Sequence, residues 1–353
     1  MGKERKLIVC DHNISDSSNC FVIAEVGHNH QGSLEKAKEM FRVAKECGVD
    51  AVKVQKRDNR SLYTRELYNQ PYNHENSFGS TYGEHREALE FGKEEYIELK
   101  RYAGELGLVF FATAFDFASA DFLADLNVPA YKIASGDLLN TPLLKYVAQI
   151  GKPIFISTGG GYLDDVQRAY DTVMPINSNI CLLQCTSGYP CEHNEMNLSV
   201  IKTYREFFPD VVIGLSDHQN GIAMATMAYV LGARVIEKHF TLSHAWKGMD
   251  HAFSLEPIGM KKMVRDLQRA SAAVGDGVKV RLESEKKALY KLAKKLVAAR
   301  DIQAGQVLRN DDIAIKSPND GLPPYQIDNV VGKVVRRDLK EDENISLDDL
   351  AEV

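Results

Sequence analysis

KEEYIELKRYAGELGLVFFATAF, from Lys93 to Phe115, contains one full copy of the pattern that decides the fold. Its first half sets apolar residues three and four apart and closes on glycine, which predicts an amphipathic helix with a left-handed stop. Its second half, LVFFATAF from Leu108, is a near-continuous apolar run with one polar side chain, Thr113, close to its end. A run of that kind predicts a strand covered on both faces.

The same unit recurs in both directions. Toward the N-terminus lie CFVIAEVG (Cys20–Gly27) and AVKVQK (Ala51–Lys56), separated by the helical stretch LEKAKEMFRVAKECG. Toward the C-terminus follow AYKIASGD (Ala130–Asp137), PIFIST (Pro153–Thr158), ICLLQCTSGYP (Ile180–Pro190), VVIGLSDH (Val211–His218) and RVIEKHF (Arg234–Phe240). Eight apolar strands joined by helical crossovers predict an α/β protein built on a (β/α)8 TIM barrel. An open doubly wound sheet is the alternative, but GHNHQG after the first strand is not a glycine-rich phosphate fingerprint.

The bulk composition agrees with a barrel plus a smaller domain. The chain has 353 residues, 44% hydrophobic and 26% charged, and a formal net charge of -6. That balance fills a core, and it supplies no cationic surplus for nucleic acid or an anionic membrane. No apolar stretch is long enough for a membrane span, and the polar start MGKERK lacks a signal-peptide core, so a cytoplasmic protein is expected. Six cysteines without a Cys-x-x-Cys pair are read as reduced thiols.

Nearly every strand finishes on a charged or hydrogen-bonding residue: Glu25, Lys53 with Gln55, Thr113, Lys132 with Ser135 and Asp137, Ser157, Gln184 with Thr186, Ser216 with His218, and Glu237 with His239. In a barrel these ends converge on one mouth, where active sites of this fold lie. Lys53 and Lys132, set in apolar strands, each need an anionic partner, either an internal carboxylate or a bound phosphate or carboxylate. His218 and His239 end neighbouring strands and suit a divalent metal with positions left open. Glu25 and Asp137 are the candidate acid and base groups. His28 and His30 are read as turn and packing residues.

The motifs AEVGHNHQGS, Lys-x-Gln, YKIASGD, ISTGG, LLQCTSGYP, IGLSDH, IEKHFTL and KGMDHAFSLEP resemble, in order, those of the N-acylneuraminate (sialic acid) synthase family. The final segment resembles the antifreeze-like (SAF) domain that follows the barrel in that family. Within it, RDIQAGQVLRNDDI (Arg300–Ile313) and RDLKEDENISLDDL (Arg337–Leu350) look like two copies of one unit. The expected division is a barrel over 1–278, a linker over 279–295 and the small domain over 296–353.

The resemblance implies condensation of phosphoenolpyruvate with an N-acylated mannosamine. It assigns phosphoenolpyruvate to Lys53, Thr113, Lys132, Ser135, Ser157 and Ser216, and a manganese or magnesium ion to His218 and His239. Glu25, Asp137 and Asp250 would be catalytic or contact the sugar, together with Tyr189. It also implies a homodimer, domain-swapped so that each tail caps the partner's barrel. Two departures bear on the substrate: Asp137 stands where bacterial free-sugar enzymes carry Glu, and Ser317 where their tail carries Arg. The stretch PYNHENSFGSTYGEHREALEF resembles the animal type, which uses the sugar 6-phosphate; Lys56, Arg57, Arg65, His85 and Arg86 in or beside it are candidate phosphate holders. The alternatives are the same reaction on the unphosphorylated sugar, a Schiff-base aldolase using Lys132, and a non-enzymatic binding protein.

Overall fold

The computed structural model describes residues 5–352 and separates into two units, one ending at Gly275 and one beginning at Asp276. In the first unit a hairpin, β1 (Lys6–Val9) with β2 (His12–Ser15), precedes eight parallel strands. They are β3 (Phe21–Gly27), β4 (Ala51–Lys56), β5 (Val109–Ala114), β6 (Tyr131–Ile133), β7 (Ile154–Ser157), β8 (Ile180–Cys185), β9 (Val212–Asp217) and β10 (Val235–His239). Each pairs with the next, and β10 pairs with both β9 and β3, so the barrel closes. All eight sequence-predicted strands are present, each trimmed by a residue or more at one or both ends except β4.

The helices form for the reasons the periodicity implied. Leu34–Cys47 starts at Ser33, whose side chain accepts the Lys36 N–H, and stops at Gly48, where φ is 87°. Its buried residues Ala37, Met40, Phe41, Ala44 and Cys47 make one stripe against the barrel. The helix Lys93–Glu105 buries Tyr96, Leu99 and Ala103 in the same layer.

Inside the barrel the period-two alternation sorts side chains into layers. Phe21 and Ile23, Val109 and Phe111, Phe155, Leu183, Val212 and Val235 fill the lower interior, and Leu7, Val9 and Ile14 of the hairpin pack with them. The N-terminal end is therefore apolar and closed by an element that the sequence reading did not contain. One step further along the same faces, the side chains turn polar, and the site begins there.

The second unit carries two small antiparallel pairs, β11 (Lys295–Ala298) with β12 (Ile313–Lys316) and β13 (Val334–Val335) with β14 (Leu350–Ala351). Leu296, Ile302, Leu308, Val335, Leu339 and Leu350 belong to its own apolar core. The two sequence copies are structural copies: Arg300 donates to Asp312 at 2.5 Å, and Arg337 grips Asp349 with two bonds of 2.8 Å, each acidic partner 12 residues on. A helix, Lys286–Leu292, lies in the stretch expected to be linker. Ser317 bonds to the Ala293 carbonyl and accepts from Lys294.

Candidate active site

A cavity of about 720 Å³ opens at the C-terminal ends of the strands. Glu25, Lys53, Thr113, Lys132, Ser135, Ser157, Ser216, His218 and His239 all line it, with Tyr189 and Asp250 from the loops after β8 and β10. The inward parity of each strand delivers these residues: Glu25 is two places beyond Ile23, and Lys53 two beyond Ala51.

The two lysines are buried and internally paired. Lys53 forms an ion pair with Glu25 and donates to Thr113 Oγ1 at 2.9 Å. Lys132 donates to Glu237 Oε1 at 2.9 Å, and the same oxygen accepts from Ser216 Oγ at 3.0 Å. Glu237 appeared among the strand ends but was given no role in the site, and it proves to be the carboxylate at the barrel's centre. Burial pushes its carboxyl up, and Lys132 and Lys53 outweigh that, bringing it down to about 2. Both ammonium groups are engaged by carboxylates, whereas the lysine of a Schiff-base aldolase attacks as a free amine.

Four buried polar atoms on this wall lack a hydrogen-bond partner: Ser157 Oγ, Glu237 Oε2, His239 Nδ1 and Glu25 Oε2, the last of which meets Lys53 in an ion pair. Buried polar groups in folded proteins are normally satisfied, so a set of orphans facing one cavity marks where a ligand completes them. Glycine makes room beside them. A Cβ on Gly159 would sit 2.8 Å from Ser135 Oγ, and without one the Gly159 N–H reaches that oxygen at 3.0 Å. At Gly27, where φ is 50° and the β3–β4 register shifts, a Cβ would come 3.1 Å from Glu25 Oε1.

His218 and His239 stand side by side with ring centroids 5.4 Å apart. Nδ1 of His218 bonds the Thr186 carbonyl at 2.9 Å, leaving its other ring nitrogen available. Nδ1 of His239 faces Asp250 Oδ2 at 3.8 Å. Among the described residues no group of three or more His, Cys, Asp or Glu side chains converges as a closed cage. Two imidazoles with open positions would suit an ion that also takes water and substrate oxygens.

The loop after β4 contributes a second cationic wall. Arg57, His85 and Arg86 line the cavity, and so does His28, contrary to its reading as a packing residue. Arg57 Nη1 is 3.2 Å from His28 Nε2, and Arg86 Nη1 is 3.4 Å from His28 Nδ1. A neutral imidazole offers only one lone-pair nitrogen, so one of these two contacts faces donor to donor. Burial, then Arg57 and Arg86, hold the His28 ring far below its usual range. His30 does pack as expected, 4.1 Å from the Phe91 ring.

Three expected site residues lie elsewhere. Lys56 faces outward, donating to Glu90 at 3.2 Å and the Phe91 carbonyl at 3.0 Å, because it has the opposite strand parity to Lys53 and Gln55. Arg65 is exposed on its short helix. Asp137 follows the end of β6 in a 3-10 turn, accepts from Asn140 at 3.1 Å, and is not part of the cavity lining. Gln55, named only as a strand end, bridges Glu25 at 2.7 Å and Arg57 at 2.7 Å and so links the two cationic regions.

Burial lowers five imidazoles: His30 and His239 to about 3, His85 and His251 to about 4, and His28 well below its ordinary value. Each takes up a proton near its ordinary value only in the unfolded chain, so stability present above pH 6.5 is lost as pH falls toward the folded values. His218, which Cys185 and the Thr186 carbonyl raise against burial, acts in the opposite sense. The metal-free protein is expected to lose several kcal/mol between pH 6.5 and 5, at up to ~1.4 kcal/mol per pH unit for each ring. Urea unfolding at stepped pH checks this, and a stability flat down to pH 5 would contradict it.

The sequence of this chain matches a known family. The NeuB family's sequence model covers residues 40–279, and the SAF domain's model residues 295–351. This chain belongs to the NeuB family. It is 44% identical to the N-acetylneuraminate-9-phosphate synthase of Homo sapiens over 92% of this chain and 91% of that protein. It is 37% identical to the N,N'-diacetyllegionaminic acid synthase of Legionella pneumophila, over 90% of each chain. Among solved structures, the N-acetylneuraminic acid synthetase of Leptospira borgpetersenii superposes with a TM-score of 0.71 at 30% identity, covering 81% of this chain and 95% of that one. Among the described residues no helix of this NeuB-family chain is long and apolar enough to cross a membrane.

Proposed function

We propose that this NeuB-family protein condenses phosphoenolpyruvate with N-acetylmannosamine 6-phosphate, giving N-acetylneuraminate 9-phosphate and inorganic phosphate. One observation carries the reading: a single cavity holds two separate anion-receptive walls, lysines inside the strands and arginines on the loop beyond them. The similarity to N-acetylneuraminate-9-phosphate synthases supports it.

Lys53 and Lys132 receive the enolpyruvate anion, with the hydroxyls of Thr113, Ser135, Ser157 and Ser216 donating to its oxygens. Arg57 and Arg86 receive the sugar phosphate. As the incoming phosphate draws Lys53 from Glu25, that carboxylate becomes free to move a proton at the sugar aldehyde. The enol carbon attacks the aldehyde carbon, water adds at the carbon bearing the carboxylate, and phosphate leaves. Tyr189, whose ring packs 4.3 Å from His218, and Asp250 border the place left for the sugar.

His218 and His239 fit a manganese or magnesium ion, which when bound would polarise the aldehyde oxygen. A homodimer and a cytoplasmic setting belong to the same reading, the latter supported by six unpaired thiols.

The test is phosphate release and product mass with phosphoenolpyruvate, manganese and either N-acetylmannosamine or its 6-phosphate. The phosphorylated sugar is expected to turn over and the free sugar to lag far behind; turnover of the free sugar alone would overturn the assignment of the arginines. Dialysis against a chelator is expected to abolish turnover and manganese to restore it, and full activity after chelation would remove the ion from the reading.

A further inference from the structure

At the level of the mouth, the outward positions of five barrel strands are apolar: Val26, Val54, Ala114, Ile133 and Ile156 join the layer beneath the helices. The strands β9 and β10 break this rule with Asp217 and Lys238, whose side chains are fully buried and joined at 2.8 Å. Burying two charges is costly, and a well-packed apolar pair would hold two strands at least as well. The pair's contacts point to a role beyond cohesion.

The contacts of the pair say what that is. Lys238 Nζ also donates to the Gln219 carbonyl, and Asp217 Oδ1 accepts the Gln219 N–H at 2.8 Å. Lys238 thereby holds the chain on both sides of His218, through the side chain of residue 217 and the backbone of residue 219. The β9–β10 ladder ends on the pair Asp217 and Lys238, so His218 and His239 each lie one residue past the last rung. His239 Nδ1 has no hydrogen bond to steady its ring. Other contacts hold each histidine to its own surroundings: His239 pairs with Glu25 of β3 and its carbonyl accepts the Leu255 N–H at 2.8 Å, while the His218 carbonyl accepts the Cys191 N–H at 3.1 Å. The buried pair is the side-chain link that ties the two strand ends to each other.

We propose that Asp217 and Lys238 are positioning residues, a buried clamp that sets the spacing of His218 and His239 for the ion site. The proposal rests on the two-imidazole reading given above. Partners that orient metal ligands from behind typically contribute about 10- to 100-fold in metal affinity. Here the clamp acts through the backbone rather than through the second ring nitrogen.

The test compares the parent, K238M, D217L/K238M and H239A by titrating metal-free protein with Mn2+ and following free Mn2+ by electron paramagnetic resonance. In the double variant an apolar pair replaces the ions but leaves the Gln219 N–H and carbonyl without their partners, so its Tm is expected to fall by several degrees while the protein remains folded. Its Mn2+ affinity is expected to fall about 10- to 100-fold nonetheless, a loss that a merely structural pair would not produce. In parallel, nitrogen NMR of the labelled histidines in metal-free protein should show His218 and His239 displaced and the loop residue His244 unchanged. K238M, which strands the Asp217 charge, should show the same displacement with lower stability. Parent-like Mn2+ affinity together with unmoved His218 and His239 resonances in a folded double variant would overturn the clamp. Parent-like Mn2+ binding in H239A would instead remove the ion site, and the resonances alone would then decide whether the clamp positions the two rings.

Discussion

Replacing Lys132 with Met is expected to lower kcat/KM for phosphoenolpyruvate by at least about 1000-fold, roughly 4 kcal/mol, and to destabilise the fold at the same time. Lys132 is 4% exposed and bonds Glu237 at 2.9 Å. With the ammonium gone, Glu237 remains a buried carboxylate facing the place proposed for the substrate's own negative charge. Breaking one side of a buried pair typically costs about 3–5 kcal/mol, because the remaining charge is uncompensated. The same charge would repel the arriving anion. The double variant K132M/E237Q separates the two effects. Neutralising the stranded carboxylate should restore most of the lost stability in urea unfolding, while turnover stays low because the cation is still missing. Full recovery of turnover in the double variant would make Lys132 a structural counter-ion to Glu237 and nothing more.

That pair also marks the limit of the sequence reading. The strand ends were legible because inward positions alternate, so Lys53, Thr113, Lys132, Ser157, Ser216 and His239 were found together from apolar runs alone. The partner of Lys132 was not legible, since 105 residues separate it from Glu237 and their meeting depends on how the barrel closes. Lys56 was an avoidable error: it stands one place past Gln55, and the period of two already turns it outward. Asp137 was lost for a different reason. Strand β6 is only Tyr131–Ile133, and the 3-10 turn that follows ends the alternation on which the inference relied. The bottom hairpin escaped because its strands of four residues, with the exposed Ile8 and Asn13 among their side chains, make no long apolar run. His28 escaped because the register shift at Gly27 re-aims the chain after β3 toward the arginines, a change of direction that GHNHQG does not announce.

In the reading proposed above the arginine wall decides substrate choice, and Arg86→Ala is the variant that tests it with least damage to the barrel. Arg57 is a poorer target: it bonds Gln55 and lies 3.7 Å over the Phe115 ring, so its loss would disturb packing as well as charge. Arg86 instead donates twice to Tyr82 Oη, at 3.1 and 3.0 Å, and pairs with no carboxylate among the described residues. An unpaired guanidinium on a cavity wall is free to make a forked contact with phosphate, worth about 1.5–3 kcal/mol for each charge-assisted bond. R86A is therefore expected to lower kcat/KM for N-acetylmannosamine 6-phosphate about 100-fold, mainly through KM. Free N-acetylmannosamine, which never reaches that guanidinium, should change only a few-fold, so the ratio between the two sugars collapses. Competition of the two sugars for one enzyme sample measures that ratio without reference to enzyme concentration or stability. An equal fall for both sugars would mean that Arg86 supports the loop rather than the phosphate. An unchanged ratio would move the phosphate away from the wall built by Arg57, His28 and Arg86.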